Sequence, residues 1–561
     1  MIMFEQKLKD HLKKELGEDV VLEIPPDFSM GDYALTCFTF AKKLKKNPNQ
    51  IAQDFVKQIK KPDFVEKLET KGAYVNFFLK KSKLAERLLS NIFKEKDDYG
   101  SAKLGKGKTI VIDFSSPNIA KPFSIGHLRS TMIGNSLYKI HTKLGYKVVR
   151  VNHLGDWGTQ FGKLIVAHLK WGDKNRLKKE PIQYLLDIYV RFHEEAEKNK
   201  ELEDQAREWF KKLEDGDAQA QKLWAEFKHL SLDEFRKLYD ILGVDFDSYN
   251  GESFYNDKIE DAIKTVEKKD ICELNEGALI VPLKTMTPLM LRKSDEASTY
   301  AARDLAAIFY RIKTYKPEKI IYVVGAEQTL HFQQLFSVAE LCGISKEKLT
   351  HVAFGLYRFP EGKMSTRKGK VIFMEDVLNK SIELARKVID EKNPKLNDKE
   401  NVAQVVGVGA IIFGDLVNDR VKDVLFDWNK ILDFEGDTAP YLQYTYARAS
   451  SIIRKAKEEK LIVSEKVDFE MIKEEVEQRL VSKLSRFQNS IFDALNNYKP
   501  HIIAQYLLEL ARTFNEFYHK CPCIQEKDKD VKTARLLLID CSRQVIRNGL
   551  DLLSIRLVEE M

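Results

Sequence analysis

The sequence predicts an α/β protein in which a parallel-sheet domain is preceded by an α+β domain and followed by an all-α domain. Three observations predict it. The continuous apolar run TIVIDF at 109–114, a helical pattern over 127–144 and a second strand pattern, YKVVRVNHLG at 146–155, make a βαβ unit of doubly wound type. Ahead of it, roughly the first 85 residues alternate short strand and helix patterns. Beyond Gly436 the periodicity is helical to the end.

The elements follow in order. Phe4, Leu8, Leu12 and Leu16 recur every four residues, which makes an amphipathic helix. A strand is expected at 20–24, helices at 34–44 and 51–59, and a strand at 73–79. The charged stretch 94–108, with Gly100, Gly105 and Gly107 and no apolar period, suits an exposed linker. The helix after the first buried strand stops at Gly145. Helical spacing rich in Lys, Glu, Trp and Leu over 163–231, then a hairpin at 278–293, reads as an insertion at about 163–319, after which the sheet resumes at 319–325 and 350–355. In the last domain Ile502, Ile503, Tyr506, Leu507, Leu510, Phe514 and Phe517 form one face, and Asn548-Gly549 is expected to close a later helix. The expected domains are therefore 1–90, 105–435 and 436–561.

Composition excludes several classes. With 561 residues, 43% hydrophobic and 32% charged, the chain is folded rather than disordered. Its longest apolar run, 405–414, is half of the roughly 20 residues a membrane span needs, so no membrane partner is expected. The N-terminus lacks an apolar signal region. Six cysteines without paired ligand spacing suit a reducing cytoplasm and give neither a disulfide framework nor a protein-held metal. A net charge of +7 leaves nucleic acid open as a partner, and 20 basic against 19 acidic residues after Gly436 confine any RNA contact there to local patches.

Two nucleotide-site patterns fail. The letters at 105–109 approach a P-loop but precede their strand, and Gly407-Val408-Gly409 lies in a helical apolar run that suits core packing. What remains is Ser124-Ile125-Gly126-His127, which opens a helix just after a buried strand, with Lys121 upstream. Gly126 lets a nucleotide approach the backbone, and His127 at a helix N-terminus can donate to a phosphate oxygen. A second basic loop, Lys363, Met364, Ser365, Thr366, Arg367, Lys368 and Gly369, follows the last sheet strand. Both segments fall at the carboxyl edge of one parallel sheet, where the loop could fold over a triphosphate and stabilise charge at the α-phosphorus.

These segments resemble the two signature motifs of class I aminoacyl-tRNA synthetases. Together with NHLGDWGTQFGKL (152–164), TYAARDLAAIFYR (299–311), HFQQLF (331–336), GDYALTCFTFAKKLKKNP (31–48) and GDTAPYLQYTYARASSI (436–452), they resemble the arginyl-tRNA synthetase family over nearly the whole chain. The resemblance implies a Rossmann-like catalytic domain between an additional N-terminal tRNA-binding domain and a helical anticodon-binding domain. It implies ATP-dependent formation of arginyl-adenylate, with Mg2+ on the phosphates, and transfer to the 3′ end of arginine tRNA by a monomer. It further implies that activation requires bound tRNA. Asp113, Tyr300 and Asp304 would surround the arginine side chain, and charged carboxylates suit a planar five-donor guanidinium. Ser115, Ser116, Asn118, His127 and Gln328 would hold its α-amino and carboxylate groups. Two departures stand out: Ser124 replaces the usual first histidine of the first motif, and Thr366 replaces the second lysine of the other, for which Lys121 is expected to compensate. Asn76 and Phe78, and Tyr441, Tyr444 and Arg448 on one helix face, are candidates for tRNA contact. Alternative readings are a cysteine or methionine class I enzyme, or a tRNA-binding relative without catalysis.

Overall fold

The computed structural model describes residues 2–25, 30–295, 297–358, 372–425, 427, 433 and 436–561. Helix Ile2–Leu16 buries Phe4, Leu8 and Leu12 against a four-stranded antiparallel sheet. Its strands are β1 (Leu22–Glu23), β2 (Tyr33–Thr36), β3 (Val65–Lys71) and β4 (Tyr74–Leu79), in the order β1-β2-β4-β3. The expected helix at 34–44 is corrected: Ala34 and Leu35 pair with Asn76 and Val75 in the sheet, and the helix is confined to Phe38–Leu44. β3 escaped the sequence reading because it is an edge strand, VEKLETK, with only its first residue buried.

Most of the stretch 94–108 is exposed, as expected, but its backbone at 96–99 is docked. Asn548 Nδ2 donates to Lys96 O (2.9 Å) and Tyr99 O (3.1 Å), and the Tyr99 ring stacks on Phe487 at 6.0 Å. Beyond it come β5 (Thr109–Asp113) and β6 (Lys147–Val151) joined by helix Ile125–Lys143. Further on are the hairpin strands β7 (Glu273–Asn275), β8 (Ala278–Leu283) and β9 (Met286–Arg292), then β10 (Lys319–Tyr322) and β11 (Leu349–His351). The central sheet runs β11-β10-β5-β6 with every pair parallel, so Asp113 faces Tyr322 on one side and Val151 on the other. β5 is the point at which the strand order reverses, and a crevice opens at its carboxyl end.

Helices Thr159–Trp171, Pro181–Lys198, Glu201–Glu214 and Ala218–Leu242 form most of the insertion. Helix Tyr300–Tyr315, inside the expected 163–319, instead returns to the sheet and lays Arg311 on Asp113. Downstream, a Cβ on Gly407 would come 2.7 Å from Ile382 Cα, so that glycine is a helix-packing site. Helix Lys529–Leu552 runs through Asn548-Gly549 rather than ending there: Gly549 admits Leu507, and Asn548 holds the 96–99 backbone. Among the described residues no helix is long and apolar enough to cross a membrane.

Candidate active site

The loop after β5 is held in a strained shape. Ser115, Ser116 and Ala120 all have left-handed φ (71°, 49° and 60°), a conformation that costs non-glycine residues about 1–3 kcal/mol each and persists only where surroundings enforce it. Here Ser130 Oγ accepts the Ser115 N–H (2.9 Å) and Asn152 Oδ1 the Ser116 N–H (3.1 Å). The Ser115 hydroxyl is committed to Tyr239 OH (2.8 Å) and Thr131 Oγ1 (2.9 Å) inside the core, which ties the loop to two helices. Ser116 Oγ donates to Asp113 Oδ1 at 3.0 Å. Asn118 is exposed beside Gly155, with which it forms a parallel bridge.

Asp113 is engaged within the chain as well. It is 5% exposed, and its Oδ2 lies 2.7 Å from Arg311 Nη1. Burial opposes the Arg311 charge, but Asp113 outweighs it and holds the guanidinium well above its ordinary pKa. The chain's own arginine thus meets one oxygen of the carboxylate expected to face the substrate, and Ser116 Oγ meets the other.

Ser124 is the N-cap of helix Ile125–Lys143. Its backbone N–H donates to His127 Nδ1 at 3.0 Å, and its hydroxyl lies 3.2 Å from the same nitrogen. An N–H can only donate, so Nδ1 accepts and the imidazole proton sits on Nε2. Burial against Phe123 lowers the His127 pKa to about 4, leaving the ring neutral at pH 7. Lys121 is half-buried and close enough for its charge to contribute to that lowering. Ser124 pairs with Phe373, and the Ile125 N–H donates to Ile372 O. Residues Ile372 and Phe373 therefore abut the first signature segment. Lys363, Met364, Ser365, Thr366 and Arg367 lie outside the described residues.

The opposite wall is acidic. Thr299 caps helix Tyr300–Tyr315, which puts Tyr300 (61% exposed) and Asp304 one turn apart. Asp304 Oδ2 contacts His331 Nε2 at 2.7 Å, a hydrogen bond that raises the His331 pKa. Asp304 Oδ1 has only His153 Nε2 at 4.0 Å, too long for a hydrogen bond. Arg311 Nη2 donates to His153 Nδ1 (3.3 Å), which leaves the proton on Nε2, a buried nitrogen without a hydrogen-bond partner. Gln328 is exposed just beyond β10, on the same edge of the sheet.

Sequence reasoning missed Glu252. It opens the short 3₁₀ helix Glu252–Lys258, whose start closes on the loop after β6, and among the described residues its buried Oε2 has no hydrogen-bond partner. Arg303 Nη1 stands 3.7 Å away, and the Arg303 guanidinium lies over Tyr300 at 5.6 Å. Burial pushes the Glu252 carboxyl up to about 8; Arg303 opposes this, and the Asp304 and Asp156 charges add to it. A single carboxyl at the start of a short 3₁₀ helix has no periodic signal, and only the preceding glycine in GES points to a close backbone approach. Glu252, whose ion pair with Arg303 is long at 3.7 Å, and Asp304, with Oδ2 on His331, lie beside an exposed tyrosine, an arrangement with acceptor capacity for a planar cation.

Three family models match the chain: "tRNA synthetases class I (R), catalytic domain" over 88–428, "Arginyl tRNA synthetase N terminal domain" over 3–79 and "DALR anticodon binding domain" over 442–561. The arginine–tRNA ligase of Clostridium perfringens is 48% identical over 560 residues, 99% of each chain. That of Clostridium botulinum (strain Alaska E43) is 49% identical over 560 residues, again 99% of each. The chain belongs to the arginyl-tRNA synthetase family. The solved arginyl-tRNA synthetase of Thermus thermophilus superimposes with a TM-score of 0.84 at 25% identity, covering 99% of this chain and 100% of that one. A Mycobacterium tuberculosis methionyl-tRNA synthetase shares the fold at 10% identity and a TM-score of 0.52, over 80% of this chain and 91% of its own. The protein is an arginine–tRNA ligase, which activates L-arginine with ATP and transfers it to its tRNA.

In this synthetase the expected tRNA residues fare unequally. Tyr441, Tyr444 and Arg448 line a cavity of about 770 Å³ that also meets Asn515 and Met561. Arg448 is stacked between Tyr444 (4.8 Å) and Tyr518 (5.1 Å) and donates to Asn515 Oδ1 at 2.8 Å. Asn76, by contrast, is 5% exposed between Ala34 and Glu69 in the N-terminal sheet, so its side chain is withdrawn from any surface contact. Phe78 is half-buried under Lys67 Nζ at 4.3 Å.

Proposed function

We propose that the arginine side chain enters between Glu252 and Asp304 with its guanidinium against Tyr300, and that ATP lies along the Ser124-to-His127 helix start. One observation carries this reading: among the described residues Glu252 Oε2 is buried without a hydrogen-bond partner, with Arg303 Nη1 no nearer than 3.7 Å, and Asp304 Oδ1 has His153 Nε2 no nearer than 4.0 Å. A buried carboxyl left in that state is costly unless a ligand supplies the donor. Ser116, Asn118 and Gln328 stand where the α-amino and carboxylate groups would reach.

In the first step an arginine carboxylate oxygen attacks the α-phosphorus, and the bond to the bridging oxygen breaks to release pyrophosphate. No protein nucleophile is involved. His127 Nε2–H donates to the phosphate while its Nδ1 is held by Ser124, and Lys121 and the 363–367 loop neutralise the departing charge. Mg2+ arrives with the ATP phosphates as part of the substrate and would offset their charge. In the second step a hydroxyl of the terminal tRNA adenosine attacks the adenylate carbonyl carbon and AMP leaves. Region 1–90 is assigned to tRNA binding, 105–435 to catalysis and 436–561 to the anticodon. The Tyr441, Tyr444 and Arg448 cavity has the stacking surfaces and cation that suit an unstacked base. We also assign a cytoplasmic monomer that activates arginine only with tRNA bound.

Pyrophosphate exchange with arginine, run with and without tRNA and repeated with Asp304→Ala, tests the assignment. Exchange that depends on tRNA and arginine and collapses in the variant supports it. Full exchange without tRNA removes the tRNA requirement, and an unaffected variant removes the pocket.

A further inference from the structure

Asp156 is fully buried, five residues beyond the end of β6, and both of its carboxylate oxygens are engaged within the chain. Oδ1 accepts the Ser253 N–H at 2.8 Å, Oδ2 accepts the Ser253 hydroxyl at 2.7 Å, and Lys228 Nζ lies 2.6 Å from Oδ2. On the other side of the same turn, the Glu252 N–H donates to Leu154 O at 2.9 Å. The backbone on both sides of Glu252 is thus tied to the loop after β6. A Cβ on Gly251 would fall 2.5 Å from Leu154 O and 2.6 Å from Asp156 Oδ1, so this approach is open only to glycine. Trp224 Nε1 donates to the Asp156 carbonyl at 2.8 Å, and Trp224 and Lys228 both belong to helix Ala218–Leu242 of the insertion.

We infer that Asp156 is the positioning residue of the amino-acid pocket: through Ser253 it fixes the turn that aims Glu252 at the substrate guanidinium, and through Lys228 it anchors that turn to the helical insertion. This rests on the reading of Glu252 given above. Both Asp156 oxygens are engaged, so the residue sets specificity through another side chain and touches no reactant. A carboxylate is needed because it accepts from an N–H, a hydroxyl and an ammonium at once, and no neutral side chain of that size offers the same acceptors. The charge has a second effect. The groups facing Glu252 are Arg303, Asp304, Asp156 and Tyr300, and of the charged neighbours only Arg303 favours ionised Glu252.

The test compares Asp156→Asn with Glu252→Gln in the full-length enzyme with tRNA, by pyrophosphate exchange. Asp156→Asn turns an N–H₂ towards donors and is expected to raise the KM for arginine about 10-fold or more, since small misplacements of a binding group are severe. The KM for ATP and the kcat at saturating arginine are expected to stay within about twofold. The pH midpoint of the arginine KM is expected to move down, because a negative neighbour of Glu252 is gone. Ser253→Ala, which removes one bond at the edge of the turn, should raise the arginine KM about 2- to 10-fold and serves if the first variant fails to fold. An arginine KM unchanged in both variants, or arginine and ATP KM values rising together with no shift of the midpoint, overturns the inference. If Glu252→Gln leaves the arginine KM unchanged, the pocket reading itself fails. If it raises that KM while Asp156→Asn and Ser253→Ala do not, only the inference about Asp156 fails.

Discussion

Replacing Glu252 with Gln keeps the shape of the pocket and removes its titrating charge. In the empty pocket the carboxyl is pushed up to about 8, chiefly by burial, so at pH 7 it is mostly protonated and must lose its proton to pair with arginine. That deprotonation weakens arginine binding at pH 7 by about 1.4 kcal/mol relative to pH well above 8. The wild-type arginine KM is therefore expected to fall about 10-fold per pH unit between pH 6 and 7 and to level off above 8. In Glu252→Gln the profile should be flat over the same interval. Removing one partner of a buried charge pair costs roughly 2–5 kcal/mol, so the variant's defect should be largest at high pH and about 10-fold smaller at pH 7. Pyrophosphate exchange at saturating ATP and tRNA, from pH 6 to 8.5, gives both curves. Parallel curves, or a defect that does not grow with pH, would refute the reasoning. Stability supplies a control of opposite sign. A folded-state pKa above the unfolded one gives stability that is present below the ordinary glutamate range and lost as pH rises through 8. Glu252→Gln is thus expected to melt higher than wild type at pH 8.5, by up to roughly 5 kcal/mol, with no such advantage at pH 4.

Arg303→Met removes the one neighbouring cation that favours ionised Glu252, so the midpoint of the arginine KM should move to higher pH; an unmoved midpoint would show that Arg303 does not act on Glu252. Arg311→Met leaves Asp113 buried and unpaired and should cost about 3–5 kcal/mol in chemical denaturation, with arginine-specific defects secondary to it. A near-neutral result would contradict the central ion pair. Ser124→Ala removes the cap hydroxyl but not the backbone bond to His127, so a loss of about 1 kcal/mol in stability is expected while exchange activity is largely retained. Loss of activity comparable to His127→Ala would show that the hydroxyl itself meets the phosphate.

What the sequence disclosed depends on how local each signal is. TIVIDF betrays β5 because a strand buried on both faces must be apolar throughout, and Ser124 to His127 are legible because strand, loop and helix start are contiguous. The strand Tyr33–Thr36 was read as helix because YALT has no clear period, and its pairing with β4 is non-local. Asp113 suits a guanidinium by residue type and by its place at the end of the first buried strand, both of which are local signals. Its partner Arg311 enters from the next crossover helix, and that juxtaposition has no sequence signature. Glu252 was hidden for the complementary reason. Its meaning lies in Oε2 having no hydrogen-bond partner once buried, a property of the folded surroundings rather than of the residue type.

A structure of the enzyme with arginine and a non-hydrolysable ATP analogue tests the central claim most directly. The account predicts guanidinium nitrogens within hydrogen-bond distance of Glu252 and Asp304, the Tyr300 ring against the guanidinium plane, and the Asp113–Arg311 pair intact. A substrate guanidinium seated on Asp113, with Arg311 displaced and Glu252 still facing Arg303 alone, would contradict it.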